Sequence, residues 1–428
     1  MDINILNDHM GLPTSQISQM NSEETIDLFT RHTDSVLCCA IDNNSRLAVS
    51  GGIDDTAFVW DLNTKHVIFE CSGHKESVVA ASFSLISTYV ATGDLNGYIQ
   101  VRNTTTGNRV FDFEIDEINW IFWHNTSDYV LLAGTTKGDF WMWNVNDPVA
   151  VKTFNSYGSP TTAARLLPDG IKMIVSYQDG SVRMFDLKTK QSIQSYHDPD
   201  KAEVISMDLN PKKSIFAVGC IDSKVRLITI STLKVIGTLN CQTPSELHGK
   251  QLEQAPEEAP AQLEEGENNE EECDDSTDPS KLQSVEVIDE YTGVKEDVDP
   301  QGDEDEESMT ESSDEESGDP NSVESVQFSP CGQFVAASNN SGTTCIWDVS
   351  TQALRAIKHT GVGVTRAAWT TSGDYVSAHL DGTIRISDNN LVEKLKLIAH
   401  EDQILDLALK ENLLVTASED KTVRVTRF

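Results

Sequence analysis

A short hydrophobic and polar pattern recurs along the chain. A strand ending in small residues is followed by a polar turn and then by a β-rich strand that closes on an aromatic residue or its substitute. The copies are SGGIDDTAFVWD (50–61), ATGDLNGYIQVRN (91–103), LAGTTKGDFWMWN (132–144), VSYQDGSVRMFD (175–186), VGCIDSKVRLIT (218–229), ASNNSGTTCIWD (337–348), SAHLDGTIRIS (377–387) and TASEDKTVRVT (416–426). Their closing residues, Trp60, Arg102, Trp143, Phe185, Ile228, Trp347, Ser387 and Thr426, are spaced 42, 41, 42, 43, 119, 40 and 39 apart. One gap apart, the period is about 41. A repeat of this length built from four short strands predicts an all-β propeller, here of eight blades, with each sheet packed on its neighbours around a central channel.

Within a blade the strands read as a, b, c and d, with the repeated turn between b and c. In the first copy they fall near 36–41, 46–50, 56–60 and 66–70. The eighth copy reaches Phe428 just after strand c and has no strand d of its own. TIDLFT (25–30), an alternating segment ahead of the first strand a, fits the vacant place. Pairing it with the C-terminal sheet closes the ring and removes the open strand edges.

Charge changes the picture at one place. The net charge is −37, and residues 244–320 hold 29 of the 69 acidic residues against only Lys250, Lys281 and Lys295, a local −26 that leaves −11 for the rest. The 119-residue gap is one period plus this acidic stretch, so no blade is hidden in it. Rich in Glu, Asp, Pro and Ser, it cannot bury enough apolar surface to offset the entropy of ordering, and a disordered loop is expected. The expected organisation is a flexible tail over 1–23, the closing strand and blades 1–5 over 24–243, the acidic insertion over 244–320, and blades 6–8 over 321–428. The strong acidity makes nucleic acid an unsuitable direct ligand and a basic protein the natural partner. Eight cysteines lie scattered without a CxxC pair, which reads as reduced, intracellular thiols used in packing. With no leader pattern at the N-terminus and no run near 18 apolar residues, the expectation is a soluble monomer of the cytoplasm, and also of the nucleus, with no membrane contact.

GGIDDTAFVW (51–60), FECSGHKESV (69–78), VATGDLNG (90–97), LLAGTTKGDFWMW (131–143) and NSVES (321–325) resemble the WD-repeat family of the angio-associated migratory cell protein and its fungal counterpart, the chaperone of a large-subunit ribosomal protein. The resemblance extends over nearly all of 25–428 but carries neither the acidic insertion nor the first 23 residues. It implies binding of a basic ribosomal protein, through that client's charged N-terminal part, before assembly into the 60S particle. In animals the family name is attached to cell migration, so a signalling or ubiquitin-ligase scaffold is the alternative function.

The pairs His32/Asp54, His74/Asn96 and His400/Asp420 occupy the places of a hydrogen-bond network joining the loop before strand a to the b–c turn. A structural role is expected there in preference to a catalytic one, because buried polar groups need partners. Trp120, Trp123, Trp141 and Trp143 crowd into blade 3 and read as core, with an aromatic ligand patch as the alternative. Phosphate-binding glycine loops, a nucleophile elbow and metal-spaced histidines are absent, so neither an enzyme nor a cofactor is expected. Asp34, Glu76, Asp116 and Asp402 take equivalent positions in the loops leading into blades 1, 2, 3 and 8, which are contiguous in a closed ring, and blade 3 adds Glu117. They form a candidate acidic rim, although an acid is common in this loop. The insertion enters the same class of loop, between blades 5 and 6, and either attracts a basic client or serves only solubility. Ser308, Ser312 and Ser313 each precede an acid by three positions and suit an acidophilic kinase.

Overall fold

The computed structural model describes residues 26–242 and 321–428, and every strand there belongs to one of eight four-stranded antiparallel sheets. Blade 1 comprises Val36–Ile41, Leu47–Gly52, Ala57–Asp61 and Val67–Glu70 in the spatial order a, b, c, d. The other blades repeat that order, so the predicted eight-bladed ring is the observed architecture. The strand pattern follows from depth. Strand b is buried along its whole length in blades 1, 5, 7 and 8, whereas strand d of blade 1 alternates between half-buried and exposed residues. The recurrent closing residue has a geometric role as well. In seven blades the register between strands c and d shifts at or beside it, as at Val59/Trp60 in blade 1 and Leu227/Ile228 in blade 5, and such bulges sharpen strand twist.

The ring closes as the sequence predicts. Ile26–Phe29 pairs antiparallel with Val423–Arg427, in register from Ile26↔Thr426 to Phe29↔Val423, and supplies strand d of blade 8. Phe29 is buried between blades 8 and 1, stacked on Trp60 with ring centroids 4.4 Å apart. Asp27 adds ion pairs to Lys65 at 2.8 Å and Arg427 at 3.1 Å. Blades 5 and 6 also pack directly, with Val225 and Leu227 in one hydrophobic cluster with Val326 and Trp347, so no blade intervenes where the acidic stretch is inserted. Strand d of blade 5 is Val235–Asn240 and strand a of blade 6 is Ser325–Phe328, on either side of the acidic insertion. The acidic insertion, the first 23 residues and Ser308, Ser312 and Ser313 lie outside the described residues.

Two sets of backbone hydrogen bonds define the faces. In every blade the b–c turn donates to the loop preceding strand a: Ile53 to Ser35, Leu95 to Ser77, Thr136 to Glu117, Gln178 to Pro160, Ile221 to Glu203, Asn340 to Ser322, Leu380 to Gly363 and Glu419 to Gln403. These loops therefore share one face, called the rim face below. At the other strand ends the c–d turn donates to the a–b turn, as in Leu62 to Arg46, Leu187 to Ile171 and Ile230 to Ser214, which defines the opposite face.

Candidate acidic rim and its supporting networks

The histidine networks lie just beneath the rim. His32 is buried, with Nε2 2.9 Å from Ser50 Oγ and Nδ1 3.0 Å from Asp54, and Trp60 Nε1 donates to the same Ser50 hydroxyl at 3.3 Å. The chain Asp54–His32–Ser50–Trp60 thus runs from the turn to the blade core. Burial opposes ionisation of Asp54, but donors from His32, the Thr33 N–H and Thr56 outweigh it and hold its carboxyl at about 2. Blade 8 repeats the arrangement, with His400 at 2.9 Å from Asp420 and 2.8 Å from Thr416. Thr426 stands at the tryptophan position, and its hydroxyl is buried without a partner.

Blade 2 corrects the sequence reading. His74 contacts Asp94 at 3.3 Å, not Asn96, which is exposed. Asp94 occupies the end of strand b, where blade 1 has Gly52, and a Cβ built on Gly52 lies 3.3 Å from His32 Nδ1. A carboxylate from that position reaches the histidine directly, and it also accepts from the backbone of Lys75 and Tyr98. The turn residue two places on is then released to solvent.

Blade 5 substitutes a different chemistry that the repeat pattern did not reveal. Arg226, on strand c, is buried and bridges Asp198 at 2.8 Å and Asp222 at 2.9 Å. Burial disfavours its charge, but the two carboxylates more than compensate and raise its pKa. The available signal was an arginine inside an apolar strand c with acids in both adjoining loops. In blade 7 the histidine has moved to strand b: His379 meets Ser377 Oγ at 2.9 Å and the Val362 carbonyl at 3.3 Å, and burial depresses it to about 4.

On the rim face, Glu76, Glu117 and Asp402 are exposed, and none forms an ion pair among the described residues. Asp34 and Asp116 differ, because Lys421 approaches Asp34 at 3.5 Å and Lys137 approaches Asp116 at 2.5 Å. Both lysines sit on b–c turns of the same face, so part of the expected charge is neutralised locally. Other exposed acids on this face compensate: Glu401 stands in the loop before strand a of blade 8, and Asp55 and Glu419 on the b–c turns of blades 1 and 8. Glu401 falls one place before the recurrent acidic position, and Asp55 and Glu419 fall on turns outside it, so the repeat pattern does not point to them. The acidic arc is therefore densest over blade 8 and continues over blades 1, 2 and 3.

Trp143 and Trp123 are buried in blade 3 as core residues, and Trp120 is half-buried. Trp141 departs from the core reading in part: half-buried, it lines an open cavity of about 780 Å³ beside Lys137, Asp139 and Ser156, with Nε1 donating to Asp139 at 3.0 Å. Cys331 also departs from the packing reading, being exposed in the a–b turn of blade 6, while the other described cysteines are buried. Burial pushes the Cys71 and Cys220 thiols up to about 12. Among the described residues no cluster of three or more His, Cys, Asp or Glu side chains could hold a metal ion, and no helix is long and apolar enough to cross a membrane.

Comparison with known proteins agrees with this geometry. The model of the WD domain, G-beta repeat, matches residues 23–61, 314–348, 352–388 and 392–426. The angio-associated migratory cell proteins of Canis lupus familiaris and Homo sapiens are 31% identical over 98% of this chain and 83% of theirs. The ribosome assembly protein SQT1 of Saccharomyces cerevisiae is 28% identical over 29% of this chain and 31% of its own length. Among solved structures, Sqt1 of Saccharomyces cerevisiae superposes with a TM-score of 0.71 at 16% identity, covering 94% of this chain and 97% of that one. Sqt1 of Chaetomium thermophilum, bound to the N-terminus of the ribosomal protein L10, gives 0.69 at 18% identity over 94% and 98%. With its eight WD-type blades and this similarity over nearly its full length, the chain belongs to the family of the angio-associated migratory cell protein.

Proposed function

We propose that this propeller is a non-enzymatic chaperone that captures the basic N-terminal segment of a large-subunit ribosomal protein on its rim face and delivers it to 60S assembly. The observation that carries the reading is the arc of exposed carboxylates Asp55, Glu76, Glu117, Glu401, Asp402 and Glu419 on one face of adjoining blades. A flexible basic segment laid across it gains from many weak ion pairs at once, and their summed field steers its approach. The described residues that flank the acidic insertion, Gln242 and Asn321, belong to the same class of loop as the rim acids. The L10 N-terminus bound to the Chaetomium propeller supports the choice of client class. The Trp141 cavity at the edge of the rim, with Asp139 beside the indole, suits an arginine or lysine side chain of the client.

The test is titration of the full chain with a fluorescent peptide of the L10 N-terminal segment at low ionic strength. Exposed single pairs contribute about 0–1 kcal/mol each, so one reversal at Glu76, Glu117 or Asp402 should weaken binding no more than about fivefold. Reversing all three to Lys should weaken it by about a hundredfold or more, through lost attraction and new repulsion. Unchanged affinity in the triple variant would reject the rim as the client site.

A further inference from the structure

The face opposite the rim carries a cluster of charge of the other sign. Lys172, Lys188, Lys190, Lys212, Lys213 and Lys234 all stand in or beside the a–b and c–d turns of blades 4 and 5. None of the six forms an ion pair among the described residues, whereas Lys65 and Lys394 on other blades of this face and Lys75, Lys137, Lys224 and Lys421 at the rim, though not Lys201, each meet a carboxylate. In a chain of net charge −37, cations without a carboxylate partner gathered on two adjacent blades call for a reason. Between those blades runs an open groove of about 580 Å³, edged by Lys172, Lys212 and Lys213 and lined by the apolar side chains of Ile193, Leu209 and Ile230. Ile193 is 43% exposed at its wall. Three acids stand nearby, but Asp169 accepts from the N–H groups of Ile171 and Lys172, Asp186 from those of Lys188 and Thr189, and Asp348, close enough to feel Lys213, from those of Ser350 and Thr351, while Lys213 itself donates to Ser350 Oγ at 2.9 Å. Each carboxylate thus serves its own turn.

We propose that this groove is a second docking site, distinct from the rim, for an extended peptide that carries both acidic and apolar side chains. The charge complementarity is local and survives the net charge of the molecule, because screening at physiological salt confines each field to about 8 Å. The apolar floor and the absence of ring chemistry favour a peptide over single-stranded nucleic acid: no aromatic side chain lines the groove, and base stacking on such rings is the main non-ionic attraction for a single strand. A segment spaced to set leucine or isoleucine against Ile193, Leu209 and Ile230 would place its carboxylates within reach of the lysines. The site does not depend on the proposed ribosomal client, which is basic and binds the other face.

The experiment is selection of a random twelve-residue peptide library on the full chain, with two counter-targets: Lys212→Glu/Lys213→Glu and Ile193→Asp. All three residues are exposed, and unchanged melting curves establish that the variants fold. The expected result is a set of clones lost on both variants, enriched in Asp or Glu together with Leu or Ile, whose synthetic peptides bind the parent at least tenfold more tightly than either variant. The proposal is overturned if no clone depends on these residues, if the dependent clones are neutral or basic, or if a twelve-nucleotide RNA binds more tightly and is lost on the same variants. Retention of binding to the L10 peptide by both variants separates this outcome from the fate of the rim.

Discussion

At the level of single residues, the sequence revealed which chemistry lies under the rim but not always which atom supplies it. His32/Asp54 and His400/Asp420 were legible because turn length and strand end coincide with the repeat. The repeat points His74 to Asn96 because it implies a constant place for the acceptor, whereas a carboxylate at the end of strand b reaches the imidazole sooner. Asp94→Ala should therefore cost roughly 3 kcal/mol in urea unfolding, since it leaves a buried imidazole and two backbone N–H groups without their acceptor. Asn96→Ala, at an exposed position, should change stability by less than about 0.5 kcal/mol. Equal effects of the two substitutions would restore the original pairing. His379 sets a pH dependence of its own. Its folded pKa of about 4 lies below the ordinary 6.5, so the fold prefers the neutral ring. That stabilisation is complete above pH 6.5 and is lost as the pH falls through 4, to a total of roughly 3 kcal/mol. Asp54, held at about 2 against 3.8, contributes above 3.8 and loses its contribution only towards pH 2. Unfolding free energies between pH 7 and 4 should consequently fall in the parent and fall less in His379→Gln, and identical slopes would remove His379 as the cause.

At the level of elements, the period of about 41 sufficed to count blades, because each repeat must contribute one sheet and every sheet buries both faces against neighbours. The closing strand was legible from a missing fourth strand at one end and a spare alternating segment at the other. What the sequence did not convey is how firmly that strand is held. Phe29 stacks on Trp60 inside the cluster shared by blades 8 and 1, and Asp27 ties to Lys65 and Arg427. Phe29→Ala should destabilise the propeller by about 3–5 kcal/mol, as other large-to-small changes of buried aromatics do. Removing residues 1–30 should do more, because it exposes the edge of Val423–Arg427 as well as the Trp60 face. Differential scanning calorimetry of both variants measures this, and an unchanged melting temperature after truncation would show that the ring does not need its closing strand. The Arg226 bridge of blade 5 is not legible in the repeat for a related reason: a blade that uses an arginine between two aspartates in place of the recurrent histidine carries no recurrent residue to mark it.

For the whole molecule, charge is distributed by face as well as by segment. The rim acids of blades 8, 1, 2 and 3 project from loops of one face, and the lysines of blades 4 and 5 from turns of the other. Composition made the acidic excess legible, since 29 of the 69 acids fall in residues 244–320, but the lysine cluster is invisible to a charge count because it is spread over turns 62 residues apart in sequence, from Lys172 to Lys234. The attachment of the acidic stretch between blades 5 and 6 has a kinetic consequence. On the proposed reading, its −26 charge would add to the field that a basic client meets during diffusion, while the bound state would rest on contacts with the rim itself. Deleting residues 250–315 should therefore leave the melting temperature close to that of the parent, because blades 5 and 6 already pack through Leu227, Val326 and Trp347. It should slow association of the basic L10 peptide by about tenfold or more at low salt and change its dissociation little. As ionic strength rises to 1 M, where the screening length falls to about 3 Å, the association rates of deletion and parent should converge. Stopped-flow measurements across that range test the division of labour directly: a deletion that accelerates association would mean that the stretch occludes the rim, and one that raises only the dissociation rate would make it part of the bound complex.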